Sequence, residues 1–206
     1  MSRLKIYGVT VSRTYRVLWC AEELGLDYEL VPIHFGDGSA KTPEFLALNP
    51  NGKIPAIVED DFVLWESMAI TCHLARKHGQ GLWPPSLEGE ALVLQWSFWA
   101  IAELEKPLLT ILLNAPGFQR APVDTAAVEA ATLAARKPLA VLDAALAKSP
   151  YLAGADFTVA DINVASLVSW GVMAGFDFAS FPHITPWLTL CTGRPAAQRA
   201  MPKRGA

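Results

Sequence analysis

Two short runs, one around a proline and one opening with Glu-Ser, carry the polar groups best placed to bind a small ligand. Gly52-Lys53-Ile54-Pro55-Ala56-Ile57-Val58 reads as a turn followed by a strand. Its proline leaves the Ile54 backbone N–H and C=O free to face something other than a neighbouring strand. Glu66-Ser67-Met68-Ala69-Ile70 follows and reads as a helix N-terminus. The first N–H groups of such a helix have no intrahelical partners and its dipole is positive there, so a carboxylate is favoured, and the Ser67 hydroxyl adds a donor. Together the two runs make a hydrogen-bonding cradle for a small extended peptide with an acidic end.

The elements that must position this cradle can be read in order. Leu4 to Val9 is a short strand, followed by the polar turn Thr10-Val11-Ser12-Arg13-Thr14. A helix then runs to Leu24 with Val17, Cys20, Ala21 and Leu24 spaced as a buried face, and Gly25 stops it. Asp27 to Ile33 is a second strand, marked by Pro32 as an edge. Strand, helix, strand implies a parallel pair with a crossover. After a glycine-rich loop, Thr42-Pro43-Glu44-Phe45-Leu46 is a helical turn, and Asn49-Pro50-Asn51-Gly52 is a tight turn into the third strand. Asp60-Asp61 reverses the chain into a fourth strand, Phe62 to Trp65, and Glu66 to His78 is the next helix. The order β-α-β-α-β-β-α is a mixed four-stranded sheet with helices. Thiol–disulfide oxidoreductases share it, but they need Cys-x-x-Cys at the first strand-to-helix turn. Here Thr10-Val11-Ser12-Arg13 stands there, which excludes dithiol redox chemistry and puts a single hydroxyl in the reactive position.

The totals narrow the classes. A chain of 206 residues can bury one full core or two smaller ones in contact. A formal charge of −3 gives no electrostatic case for nucleic acid or an anionic membrane. Apolar residues reach 52% with seven Trp, which fits an aromatic-lined cavity, a subunit interface or a well-filled core. Cys20, Cys72 and Cys191 have neither disulfide-framework density nor metal-ligand spacing, so a reducing compartment fits best. His34, His73, His78 and His183 also follow no metal-ligand spacing and read as structural or solvent-facing; His73 and His78, five apart on a helix, are expected to face different surroundings. Leu4-Lys5-Ile6-Tyr7 goes straight into a strand-like run, so no targeting segment is expected, and no apolar run reaches membrane-spanning length. The expected location is the cytoplasm.

Four features together resemble the cytosolic glutathione transferase superfamily over the full length of the chain. They are Ser12-x-x-x-Arg16, Asn49-Pro50-Asn51-Gly52-Lys53-Ile54-Pro55, Glu66-Ser67-x-Ala69-Ile70 and Thr158-Val159-Ala160-Asp161. Class features are divided. Phe62-Val63-Leu64-Trp65-Glu66-Ser67 and the Asp37-Gly38 loop resemble the phi class, whereas Asn51 and the spacing from Ser12 to Arg16 resemble bacterial and theta-like members.

The resemblance implies a thioredoxin-like glutathione-binding domain over 1–80, a linker over 81–88 and an all-helical domain over 89–206 that forms the electrophile pocket. It implies glutathione as co-substrate, no metal, and conjugation of the glutathione thiolate to a small hydrophobic electrophile. A peroxidase, isomerase or dehalogenase using the same thiolate is the alternative, and a non-catalytic carrier of hydrophobic ligands is a third reading. By resemblance Pro55 is cis, and Ile54 pairs with the backbone of the glutathione cysteine like an added strand. Glu66 and Ser67 hold the γ-glutamyl end, and Lys41 and Lys53 meet the glycyl carboxylate. Ala40 stands where phi-like members often carry histidine. Ser12 is the catalytic choice: the thiolate is the nucleophile, and a hydroxyl donating to the bound sulfur lowers the thiol pKa by favouring the charged form. Tyr7 ranks second as activating residue, with Thr10 and Thr14 behind it, and Arg13 could add positive potential.

From Glu88 the pattern is wholly helical. A helix from Glu88 to Asn114 contains Pro107, which should kink or divide it. By resemblance it supplies pocket wall and dimer contact, with Trp99, Glu103 and Leu112 as candidates; Phe118 is a loop candidate for the pocket. Asp124 to Ala147 is a second helix with a bend expected at Lys137-Pro138. Thr158 and Asp161 read as a capping box, a folding feature without chemistry. The tail from Pro202 reads as a frayed end. A two-fold homodimer is implied by the resemblance.

Overall fold

The computed structural model describes residues 4–79, 81–119 and 121–201; the tail from Pro202 lies outside them. Residues up to Trp83, with the segment that starts at Arg194, form one compact unit, and Pro84 to Gly193 form a second.

The first unit is built on four short strands, β1 (Leu4–Tyr7), β2 (Tyr28–Val31), β3 (Ala56–Glu59) and β4 (Phe62–Trp65), in the order β2-β1-β3-β4. β1 runs parallel to β2 and antiparallel to β3, which hairpins into β4. Alternation sets the burial: Leu4 and Ile6 are buried, and Lys5 and Tyr7 are half-buried between them. β2 is an edge, as Pro32 predicts, and it stops at Val31 before the proline. β1 also ends early, at Tyr7. Gly8 takes φ +150°, although its N–H still reaches the Val31 carbonyl at 3.0 Å.

The crossover from β1 to β2 is α1 (Thr14–Glu23), which buries Val17, Cys20 and Ala21 and ends at Gly25 with φ +61°. α2 (Pro43–Leu48) has proline in its first turn, and the Thr42 hydroxyl accepts from the Phe45 N–H. α3 (Ser67–His78) packs on α1. The chain also returns to this unit: α9 (Pro195–Ala200) lies on α1 with Ala196, Ala197 and Ala200 buried. Arg194 pairs with Glu23 through two hydrogen bonds of 2.6 and 2.8 Å, and Arg199 pairs with Glu22 at 2.6 Å.

The second unit is helical: α4 (Leu87–Trp99), α5 (Lys106–Asn114), α6 (Thr125–Leu146), α7 (Val159–Met173) and α8 (Ile184–Thr192). A π-helical segment, Ala100–Glu105, divides α4 from α5 just ahead of Pro107. Proline cannot donate to the carbonyl four residues earlier, and the wider turns carry the chain past the missing donor. α6 runs unbroken through the buried Pro138, and Asp124 caps it by accepting from the Ala127 N–H at 2.9 Å. α7 is buried nearly all round. Its capping box is present: Asp161 accepts from the Thr158 N–H at 2.9 Å, and also from the Leu152 N–H and the Trp187 ring N–H, each at 3.0 Å. The architecture is thus a thioredoxin-like β-α-β-α-β-β-α unit followed by helices, as the sequence implies.

Candidate functional site

The turn after β1 places Ser12 half-buried before the first turn of α1. Its hydroxyl lies 2.6 Å from the Val9 carbonyl oxygen and 2.9 Å from Thr14 Oγ1, and it accepts from the Thr14 N–H at 3.1 Å. Thr14 is fully buried. A side chain at Gly8 would run into the Thr14 hydroxyl, so this turn needs glycine there for space as well as for its φ.

Ser67 opens α3 and is 5% exposed; its Oγ accepts from Arg16 Nη1 at 3.2 Å, with Arg16 1% exposed. The serine oxygen therefore already has a donor, and its proton remains available to an acceptor. Glu66 precedes it at φ +75°, ψ +108°, an uncommon backbone conformation for a side-chain-bearing residue, and its carbonyl accepts from the Ile70 N–H at 2.9 Å. Arg16 is the buried partner of Ser67 to which the sequence alone assigns no role. A signal existed: it falls four residues before Cys20, on the buried face of α1, where a cation needs a partner.

The Ile54–Pro55 bond is cis, as the resemblance implies. Neither the Ile54 N–H nor its C=O takes a backbone partner among the described residues. Asn49, 2% exposed, braces the preceding loop: its amide donates to the Lys53 carbonyl at 2.6 Å, and its Oδ1 accepts from the Asn51 N–H at 3.1 Å. Lys41 crosses Gly52, donating to the Asn51 carbonyl at 3.4 Å, and a side chain at Gly52 (φ +58°) would strike the Lys41 ammonium. Lys41 and Lys53 are both exposed, and the two lysines belong to adjoining stretches of one loop system.

Tyr7 is used differently. Its ring packs with Phe45, centroids 6.3 Å apart, against a cluster of Ala40, Phe45 and Ala56 that Ile54 also touches. His73 and His78 do not face different surroundings. Both reach the buried Glu59 carboxylate, at 3.7 and 3.2 Å, alongside the Lys77 ammonium at 2.8 Å, because the carboxylate sits beneath α3 where side chains from successive turns can bend to it. Burial pushes the Glu59 carboxyl up, but Lys77 and His78 outweigh it and hold the group below the usual carboxylate range. Among the described residues no cluster of His, Cys, Asp or Glu is arranged to hold a metal ion, and no helix is long and apolar enough to cross a membrane.

In the helical unit a cleft of ≈ 340 Å³ is lined by Ile111, Ala115, Val123, Val128 and Ala174, with Asn114 and Glu129 at its polar side. Of the residues singled out there, Leu112 is buried in the core, Trp99 packs edge-on against Trp96, and Glu103 is exposed.

Comparison with known proteins gives this geometry its context. The N-terminal domain of glutathione S-transferases matches residues 2–76, and their C-terminal domain matches residues 104–195. Glutathione S-transferase 3 of Zea mays is 38% identical over 214 residues, covering 98% of this chain and 94% of the relative. Disulfide-bond oxidoreductase YfcG of Escherichia coli (strain K12) is 32% identical over 209 residues, covering 97% of this chain and 95% of the relative. The theta class glutathione S-transferase of Xanthomonas axonopodis pv. citri, solved with glutathione bound, superimposes with a TM-score of 0.92 at 31% identity, covering 100% of both chains. Plant and bacterial relatives are thus both represented, in keeping with the divided class features. Matched in both of its units and along nearly its whole length, the chain belongs to the glutathione S-transferase family, enzymes whose co-substrate is glutathione.

Proposed function

We propose that glutathione lies along the open backbone of Ile54–Pro55, with its γ-glutamyl carboxylate at Ser67 and the first turn of α3, its ammonium group at Glu66 and its glycyl carboxylate near Lys41 and Lys53. Ser12 then donates to the sulfur and stabilises the thiolate, which attacks a small hydrophobic electrophile by substitution or addition. Carbon–sulfur bond formation expels the leaving group or consumes a double bond. The hydroxyl is a donor throughout and never the attacking group. Functionally, residues 1–80 bind glutathione, 81–88 link, and the helices from 89 to Gly193 supply the apolar surface for the electrophile, while α9 belongs with the glutathione-binding unit.

The observation that carries this reading is the buried contact between Arg16 and Ser67. It ties the helix that follows Ser12 to the helix that opens at Glu66–Ser67, and it supplies a positive charge beneath the hydroxyl assigned to the carboxylate. Calorimetric titration with glutathione tests it. Ser67→Ala should weaken binding about tenfold, the worth of one hydrogen bond to a charged group. Unaltered affinity contradicts the assignment.

A second reading, reduction of disulfides by the same thiolate, is favoured by the likeness to a disulfide-bond oxidoreductase over 97% of this chain. There the thiolate attacks one sulfur of the disulfide, forming a mixed disulfide and releasing the other sulfur as thiolate. Turnover of an activated chloronitrobenzene against that of hydroxyethyl disulfide separates the two.

A homodimer is part of the proposal. Phe62, Val63 and Trp65 on β4, and Leu94, Phe98 and Ile101 in the helical unit, are exposed apolar residues of the kind a second copy would cover. A cytoplasmic location is supported by three free cysteines.

A further inference from the structure

Thr14 is a fully buried hydroxyl, packed against Gly8, and both its hydroxyl and its backbone N–H meet the residue assigned to catalysis. Its oxygen lies 2.9 Å from Ser12 Oγ and its backbone N–H donates to the same atom at 3.1 Å. Ser12 also faces the Val9 carbonyl oxygen at 2.6 Å. A serine hydroxyl has one proton and two lone pairs, whereas a carbonyl can only accept. The short contact to Val9 therefore takes the Ser12 proton. In the contact between the two hydroxyls either oxygen can be the donor, and the arrangement that satisfies every group has Thr14 donating to Ser12. Ser12 Oγ then accepts twice from Thr14, once from its N–H and once from its Oγ1–H.

We infer that Thr14 is a positioning residue for the thiolate-stabilising hydroxyl: its side chain fixes Ser12 Oγ and, by donating to it, makes the Ser12 O–H a stronger donor to sulfur. The inference rests on the reading that Ser12 donates to the glutathione sulfur. When the thiolate is delivered, the Ser12 proton turns from the Val9 carbonyl to the sulfur while both Thr14 donors stay in place. No bond to hydrogen breaks, since each proton remains on its own oxygen or nitrogen. A hydroxyl that accepts hydrogen bonds is polarised and donates more strongly, and the effect is larger where water is excluded. The local packing suits the role. Thr14 is β-branched and stiff about χ1, and its hydroxyl occupies the space that a side chain at Gly8 would need.

The test compares variants by the apparent pKa of the bound glutathione thiol, read from thiolate ultraviolet absorbance against pH, and by glutathione affinity. Thr14→Val keeps the shape and removes the hydroxyl. It should raise the thiol pKa by about half a unit to one unit and lower kcat/KM at neutral pH about three- to tenfold, with affinity for glutathione unchanged. Thr14→Ser should stay close to the parent. In a Ser12→Ala background Thr14→Val should raise the pKa no further. If Thr14→Val does not fold, Thr14→Ala against Thr14→Ser isolates the same hydroxyl. A raised pKa in Ser12→Ala with a parental pKa in Thr14→Val overturns the inference and leaves the Ser12 reading standing, as does an equal rise in both backgrounds. A parental pKa in Ser12→Ala removes the reading and the inference together.

Discussion

In the sheet-bearing unit the buried polar side chains Thr14, Arg16, Asn49 and Ser67 brace the turn and loop residues assigned to glutathione on the proposed reading. In the helical unit Asp161, Asn163 and Ser97 are spent on the fold itself. Asp161 takes donors from Leu152, Thr158 and Trp187, and the Asn163 amide donates to Ser97 Oγ at 2.9 Å. Both sets are equally hidden from solvent, and each member has at least one hydrogen-bond partner. They differ in what is held. On the proposed reading one set fixes the direction of groups that meet glutathione; the other fixes where helices begin and how they meet, leaving the apolar surface free to suit different electrophiles. Replacing a member of the first set should therefore change binding or thiol pKa, and replacing a member of the second should change stability.

The largest expected effect belongs to the helical unit. Asp161→Ala removes three backbone and ring N–H contacts at once and should destabilise the protein by about 3 kcal/mol, measured by denaturant unfolding. The fraction that remains folded should bind glutathione with parental affinity. Weakened glutathione binding by folded Asp161→Ala would break the division between the two sets. Next, Arg16→Gln should weaken glutathione binding about three- to tenfold, since Ser67 loses a charged donor. An affinity equal to the parent would mean that this buried arginine serves packing alone.

How much of this was legible beforehand follows the same division. The chain order of strands and helices, the helix start at Ser67 and the capping box at Asp161 are legible because each depends on a residue type that little else can replace, a turn proline or glycine, a cap hydroxyl or a carboxylate, whereas the cis proline follows from the family resemblance and not from its spacing. Arg16 was visible as a letter in a motif but not as a partner of Ser67, because a contact spanning 51 residues leaves no local spacing to read. Convergence of His73 and His78 on Glu59 was misread for a related reason: helical angle alone places them apart, and only the position of β3 beneath α3 brings them together. The return of α9 onto α1 through Arg194 and Arg199 was likewise hidden, since arginines near a chain end look like solvated charges. The π segment before Pro107 was half legible, as the proline announces an interruption but not its form.

Glu59 belongs to the sheet-bearing unit but serves stability, with Lys77, His78 and His73 around it. Its folded carboxyl is held below the usual range, so the stability it contributes is present above the ordinary carboxylate pKa and is lost as pH falls through the lower folded value. Glu59→Gln should cost about 1 kcal/mol at neutral pH and flatten the acid limb of the stability curve. An acid limb as steep as the parent's would place the titrating group elsewhere. The smallest effect is expected from Lys41→Ala. An exposed lysine facing a carboxylate in water contributes about 0 to 1 kcal/mol, so glutathione KM should rise no more than about fivefold and should approach the parent value in high salt.

On the proposed reading the Ser12 hydroxyl holds the glutathione sulfur as thiolate. Titrating the ultraviolet absorbance of bound glutathione against pH in the parent and in Ser12→Ala tests it most directly. The apparent thiol pKa should be higher by about one to two units in the variant, with glutathione affinity nearly unchanged. An unchanged pKa would contradict it and move the role to Tyr7 or to the backbone donors of the turn.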